Sequence, residues 1–459
     1  MKVAFVASEA IPYAKTGGLA DVVGTLPVYL DKIGCETAIL MPKYKGIDAT
    51  YYKDVHTQVG PDTYVVKIYR KNNAYFIDYP LFYERTGLYG SPEGDYSDNC
   101  ERFVLFCKAA VELIKDLGFD MVHCHDWQTG LIPLYAMIAE LKAHTVFTIH
   151  NLGYQGKFPA AKFPLLGLDR SFFTPETLEF YGDMNFLKAG ILYCDAITTV
   201  SRTYAQEIQT AEFGFGLEGV LQKRSKEIFG IMNGIDYNIW NPKTDKYIYS
   251  TYEDYPGKLI NKKELAYECN LDGQRPLIGM VSRVAGQKGF DLLSKTLDEM
   301  IWMGFNFILL GFGESLYHDK MKKFEEIFPG RVSINLKFDE MLAHRIYAAS
   351  DFFLMPSKYE PCGLGQLISL KYGSVPIVHK TGGLADTVSN FDAVTKTGNG
   401  FVFTGYSGKE LLSATEAAYE IYCMPDLFKE LSENCMKYDF SWDKSAQEYK
   451  RLYDRLMSK

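Results

Sequence analysis

Short, nearly uninterrupted apolar runs recur along the chain, separated by longer stretches in which apolar residues return every three or four positions. The runs at 3–8, 37–42, 121–125, 145–150, 196–201 and 228–234 predict strands buried on both faces of a parallel sheet. Between two of them, FVLFCKAAVELIKDLG at 103–118 predicts a helix with one apolar face. Residues 63–80 alternate instead, and Asn72–Asn73 within them predicts a hairpin turn in a local antiparallel insertion. A second series of apolar runs follows at 276–282, 305–311, 332–338, 352–357, 375–380 and 400–404. Helical stretches such as 289–304 join its members.

Two strand–helix series predict an α/β chain of two doubly wound, Rossmann-like domains. The break falls in NGIDYNIWNPKTD, where Pro242 stops any continuing helix. The expected domains are therefore 1–238 and 239–440. The last segment, 441–459, reads as a helix opened by Ser441 with no strand after it. It is expected to cross back onto the first domain. Ligands of such sheets bind outside the carboxyl ends of the strands.

Composition narrows the classes. The chain has 459 residues, 47% of them hydrophobic and 23% charged, with a net charge of −8. That balance argues against nucleic acid or an anionic membrane as the main partner. The nine cysteines contain no CxxC pair, so neither a zinc knuckle nor a disulfide framework is indicated, and a reducing cytoplasmic location is expected. His123 and His125 are two apart on one strand, a spacing compatible with metal, but no third ligand is evident and no metal is expected. Tyrosine and phenylalanine are abundant, 33 and 30, which suits a carbohydrate partner.

The heptapeptide KTGGLAD occurs twice, at 15–21 and 380–386. Each copy follows a predicted strand and opens a predicted helix. Paired glycines let backbone approach a ligand closely, and a helix N-terminus offers unpaired N–H groups to anions. A tight turn with no ligand is the alternative for either copy alone. One copy in each domain favours a cleft lined from both sides.

The phrases KTGGLADVVGTLP, HCHDWQTGLIP, FTIHNLGYQG, EFGFGLEGVL, GIMNGID, VSRVAGQKGFDLL, PSKYEPCGLGQL and KTGGLADTV together resemble bacterial glycogen synthases and plant starch synthases. These are retaining glucosyltransferases of the GT-B fold, and the resemblance spans essentially the whole chain. It implies two Rossmann-like domains facing a deep cleft, hinged near 236–245. The implied reaction moves glucose from ADP-glucose to the non-reducing 4-hydroxyl of an α-1,4-glucan, with no cofactor. A sucrose- or trehalose-type transferase using UDP-glucose is one alternative, and a catalytically silent glucan-binding protein is another.

The leaving pyrophosphate gains negative charge, which demands cations or backbone N–H groups fixed in advance. Arg283 and Lys288 lie five apart across a glycine-bearing turn, a spacing able to aim both at one diphosphate; from spacing alone, two solvated cations serve as well. The resemblance assigns both to phosphate. It makes Glu360 the catalytic carboxylate beside the transferred sugar. No second carboxylate is obliged to be a nucleophile, so same-face return is preferred to a double displacement. The resemblance places Cys362, Gly363, Leu364 and Gly365 in the phosphate-binding loop and helix start. A threonine often follows that leucine in the family; Gly365 removes its hydroxyl. Cys362 reads as a buried small residue rather than a nucleophile.

His150 and Asn151 match the family's sugar-binding histidine motif, and Asp126 and Asn233 are expected at the same cleft. Phe338 stands where the family stacks an aromatic on adenine, although an aromatic at a strand end could equally be core. Tyr89 falls where a tyrosine touches the donor. Lys15, Gly17, Gly18 and Asp21 are expected on the acceptor side, and Thr381, Gly382 and Gly383 on the nucleotide side.

Overall fold

The computed structural model describes residues 1–91 and 93–458. Pro92, in the loop after Tyr89, and Lys459, at the end of the expected last helix, lie outside the described residues. The chain divides into two compact units. One is Met1–Met232 with the C-terminal helix from Trp442, and the other is Asn233–Ser441.

The first unit is built on a nine-stranded sheet. In chain order its strands are β1 (Lys2–Val6), β2 (Glu36–Pro42), β3 (Thr50–Val59), β4 (Asp62–Lys71), β5 (Ala74–Asp78), β6 (Met121–His125), β7 (His144–Ile149), β8 (Ala196–Thr199) and β9 (Ile228–Gly230). They lie side by side as β9-β8-β7-β6-β1-β2-β5-β4-β3. The pairs from β9 to β5 are parallel, and β4 pairs antiparallel with both neighbours. The apolar runs fill the parallel strands because burial on both faces favours apolar side chains; buried polar ones there, such as His123 and Thr148, are hydrogen-bonded. The insertion carries one strand more than its alternating segment predicts. Thr50–Val59 buries only Val55 and Val59, and a strand half in water carries a weak apolar signal. The expected strand at 228–234 is shorter, ending at Gly230.

The second unit has six strands, all parallel: β10 (Leu277–Val281), β11 (Asn306–Leu310), β12 (Val332–Asn335), β13 (Phe352–Met355), β14 (Val375–His379) and β15 (Phe401–Phe403). Their spatial order is β12-β11-β10-β13-β14-β15. Numbered within the unit this is 3-2-1-4-5-6, the Rossmann order. The parallel part of the first sheet repeats that order with a seventh strand added, 3-2-1-4-5-6-7, and β1 and β6 flank its reversal. Where strand order reverses, crossovers leave on opposite faces and a crevice opens above the strand ends. The reversal lies between β1 and β6 in one unit and between β10 and β13 in the other.

Helix α1 (Gly18–Lys32) follows β1, and α2 (Asn99–Leu117) ends at Gly118, whose left-handed φ of 65° closes it. The last helix, α3 (Trp442–Met457), buries Trp442, Ser445, Ala446, Tyr449, Leu452, Tyr453 and Leu456. That three-and-four spacing is one helical face, and it packs on α1. Among the described residues no helix is long and apolar enough to cross a membrane.

Candidate active site

In the first unit, the loops after β1, β6 and β7 carry the predicted residues. Glu9, three residues past β1, is only 3% exposed and organises the glycine loop. Its Oε1 accepts from Thr16 Oγ1 at 2.6 Å and from the Tyr89 hydroxyl at 2.5 Å. Its Oε2 accepts from the Thr16 and Gly17 amides. Tyr89 also meets Ser8 Oγ at 2.7 Å, and burial pushes its phenol well up. Lys15 donates to Asp21 at 2.7 Å. Burial raises the Asp21 carboxyl above its usual range, with Lys15 opposing. Sequence reading missed Glu9, because its role is visible only once the loop folds back seven residues to meet it.

Asp126 follows β6 with φ 56° and ψ −178°, a region that favours glycine and costs an aspartate roughly 1–3 kcal/mol. Its Oδ1 accepts the His150 amide at 2.8 Å, which ties the end of β6 to the end of β7. Burial pushes its carboxyl up to about 7. His150 Nε2 lies 2.9 Å from His125 Nδ1, and burial takes the His150 imidazole down to about 3. Asn151 turns its Oδ1 onto the Gly153 amide at 3.0 Å, forming a local turn.

In the second unit, the loops after β10 and β13 meet at the order reversal. Lys288 donates to Glu360 Oε2 at 2.6 Å, and Ser357 Oγ donates to the same oxygen at 3.0 Å. The Glu360 side chain is 7% exposed and that of Lys288 22%, so the pair is largely withdrawn from water. Gln287 crosslinks the two loops: its carbonyl accepts the Lys358 amide at 2.8 Å, and its side chain donates to the Tyr359 carbonyl. Arg283 is exposed and donates to Gln287 Oε1 at 3.1 Å. Cys362 is buried beside Asn233, and burial pushes its thiol up to about 12, which keeps it protonated. The Asn233 Oδ1 is buried with no hydrogen-bond partner. Leu364 and Gly365 open a short helix, Gly365–Lys371, after Gly363 at φ 73°.

The two KTGGLAD copies use their glycines differently. In the first, Gly17 and Gly18 are exposed, and a Cβ on Gly17 would meet nothing within 4 Å. In the second, Thr381, Gly382 and Gly383 are buried. A Cβ on Gly382 would fall 2.0 Å from the Glu360 carbonyl oxygen, and one on Gly383 would fall 1.9 Å from that of Cys362. Gly383 donates its amide to the Glu360 carbonyl at 3.1 Å. Close backbone approach is present there, and the neighbour approached is the Glu360–Cys362 loop. Gly365 likewise faces inward: a Cβ there would meet Phe353 at 3.0 Å and the Met355 sulfur at 3.2 Å. Phe338 is 91% exposed, so it is not core. Its ring lies 6.4 Å from that of Phe312, itself half exposed, an aromatic partner the sequence did not single out. Among the described residues no group of three or more His, Cys, Asp or Glu could hold a metal ion.

Residues 2–223 match the starch synthase catalytic domain family, and residues 261–438 match the glycosyl transferases group 1 family. The glycogen synthase of Koribacter versatilis (strain Ellin345) is 45% identical, covering 99% of this chain and 98% of that protein. The chain belongs to the glycogen and starch synthase family. Another relative, the glycogen synthase of Pseudothermotoga lettingae, is 44% identical over 100% of this chain and 99% of its own length. The catalytic domain of starch synthase IV from Arabidopsis thaliana, solved with ADP and acarbose, superposes with a TM-score of 0.91 at 36% identity. That match covers 100% of this chain and 99% of the other. A sucrose-phosphate synthase from Thermosynechococcus elongatus shares the fold alone, with a TM-score of 0.65 at 16% identity. The chain is thus a glycosyltransferase of the GT-B fold with two Rossmann-like units.

Proposed function

We propose that the chain transfers glucose from ADP-glucose to the non-reducing 4-hydroxyl of an α-1,4-glucan with retention of configuration. The observation that carries this reading is the Lys288–Glu360 pair, held with Ser357 at the order reversal of the second sheet. The arrangement sets a cation and a carboxylate side by side where the sheet offers its ligand crevice. The bond from glucose C1 to the β-phosphate oxygen breaks, and a bond from C1 to the acceptor O4 forms. The acceptor proton passes to the departing phosphate. Lys288 and Arg283 offset the charge that collects on that phosphate, joined by the amides of Leu364 and Gly365. Glu360 holds the glucosyl unit and favours positive charge at its anomeric carbon.

In the same reading, His150, Asn151, Asp126 and Tyr89 shape the sugar side, with Lys15, Gly17, Gly18 and Asp21 toward the acceptor. Asn233 has a buried, unsatisfied acceptor to offer a sugar hydroxyl. Phe338 and Phe312 supply flat exposed faces for a base, which select an aromatic ring without choosing adenine over uracil. Charge neutralisation is assigned to side chains and amides and to no metal ion. A cytoplasmic location belongs to the same reading, supported by cysteines that are all unbridged among the described residues. Incubation with radiolabelled ADP-glucose or UDP-glucose and glycogen tests the reading. Label should enter glycogen faster from ADP-glucose; incorporation from neither donor would overturn it.

A further inference from the structure

A file of imidazoles runs through the first unit beneath His150. His123 and His125 are both fully buried and stack with ring centroids 4.2 Å apart, with Phe5 beside both. Each ring nitrogen of His123 has a hydroxyl partner. Its Nδ1 lies 2.7 Å from the Tyr453 hydroxyl of α3, and its Nε2 lies 2.5 Å from Thr148 Oγ1. His125 differs: its Nδ1 faces His150 Nε2 at 2.9 Å, while its Nε2 is buried with no partner. Burial lowers all three imidazoles, His125 well below its ordinary range. At neutral pH each ring therefore carries one N–H.

The contact between His125 and His150 holds one proton, which leaves two arrangements. If His150 donated from Nε2, His125 would carry its own proton on Nε2, as a buried N–H with no acceptor. If His125 donates from Nδ1, its Nε2 is a bare lone pair and His150 carries its proton on Nδ1. Orphaned buried N–H groups are rarer in folded proteins than under-satisfied acceptors. The second arrangement is favoured.

We infer that His125 is a positioning residue that locks His150 in its Nδ1–H tautomer, so that His150 presents a hydrogen-bond donor to an oxygen of the bound sugar. The sugar contact rests on the function proposed above; the tautomer does not. His125 acts only through His150, and the stacked His123, anchored by Tyr453 of α3, keeps the His125 ring from rotating. Donation from a neutral imidazole requires an acceptor atom on the substrate, which makes this position selective for an oxygen over an N–H or a methyl group.

The test is nitrogen-15 NMR on the full chain labelled at the histidine rings, at pH 7.5 without ligand. The His150 signals are assigned by their loss in His150→Asn. Long-range couplings should show the His150 proton on Nδ1. A proton on Nε2 in the wild-type chain would overturn the inference whatever the activity. In His125→Phe, which keeps a flat buried ring but no donor, the His150 proton should redistribute toward Nε2, and kcat should fall by about tenfold, the loss of one hydrogen bond. In His125→Asn, whose side-chain amide can donate from near the Nδ1 position, the Nδ1–H signal should return and kcat should recover to within about threefold. An unchanged tautomer in the folded phenylalanine variant would also refute the lock. If neither labelled donor enters glycogen while the NMR result holds, the proposed reaction fails and the tautomer assignment stands.

Discussion

Replacing one glycine in each KTGGLAD copy by alanine should give opposite results, although the seven letters are identical. At Gly383 the new Cβ would sit 1.9 Å from the Cys362 carbonyl oxygen, where ordinary contact begins near 3.4 Å. The two backbones must separate by about 1.5 Å, enough to break the 3.1 Å bond from the Gly383 amide to the Glu360 carbonyl. Overpacking of this kind costs about 1–3 kcal/mol, and a lost backbone hydrogen bond adds about 1 kcal/mol. The sum, about 3 kcal/mol, corresponds to a fall of about 6–12 °C in the melting of a domain of this size. At Gly17 the backbone is extended, φ −152°, and the Cβ would meet nothing within 4 Å. Alanine there is compatible and should change stability by less than about 1 kcal/mol. Calorimetry of the two variants reads both effects, and saturation kinetics adds the functional side. Gly383→Ala should lower Tm and kcat together by displacing Glu360. Gly17→Ala should keep Tm and raise KM for the ligand its loop meets. A Gly383→Ala chain melting within about 1 °C of wild type would refute the reasoning, as would an equal loss at Gly17.

Other outcomes follow from the same geometry. Glu360→Gln keeps the shape of the carboxylate but removes its charge, and kcat should fall by about 10²–10³, measured by glucosyl transfer at saturating donor. His123, at about 3 in the folded chain against 6.5 when exposed, is a depressed base; the stability it contributes is present above pH 6.5 and is lost as pH falls toward 3. Between pH 7 and pH 5 that loss is about 2 kcal/mol, so chemical denaturation of His123→Phe should show a stability drop smaller than wild type by that amount. The Asp126 carboxyl, raised to about 7, works in the opposite sense over the same window, so the wild-type slope is shallower than the histidines alone dictate. Transfer assayed in excess EDTA should match the untreated rate, because the proposed charge neutralisation uses Lys288 and Arg283.

The parts of the fold legible in the sequence were those with strong burial. Strands such as Met121–His125 and Asn306–Leu310 are buried at every position and stand out as apolar runs. Thr50–Val59, with two buried side chains, does not. The Rossmann order could be expected from two strand–helix series, but the register of the site could not. Glu9 lies outside the repeated motif and gains its role only through the folded loop it binds. The second heptapeptide could be placed at a strand–helix turn, yet whether its glycines faced ligand or protein depended on Glu360 and Cys362, distant in sequence and adjacent in space. Phe338 was ambiguous between core and surface because an aromatic at a strand end suits both, and its exposure decides. The paired histidines of β6 have a spacing compatible with metal, though without a third ligand none is expected; what their rings do instead, meeting hydroxyl and imidazole partners, is visible only in the folded chain.

The central claim is tested most directly by following glucose transfer to glycogen from ADP-glucose and UDP-glucose in parallel, with the wild-type chain and Glu360→Gln. The account predicts α-1,4 extension at the non-reducing ends, faster from ADP-glucose and nearly abolished in the variant. No extension from either donor, or undiminished transfer by Glu360→Gln, would contradict it.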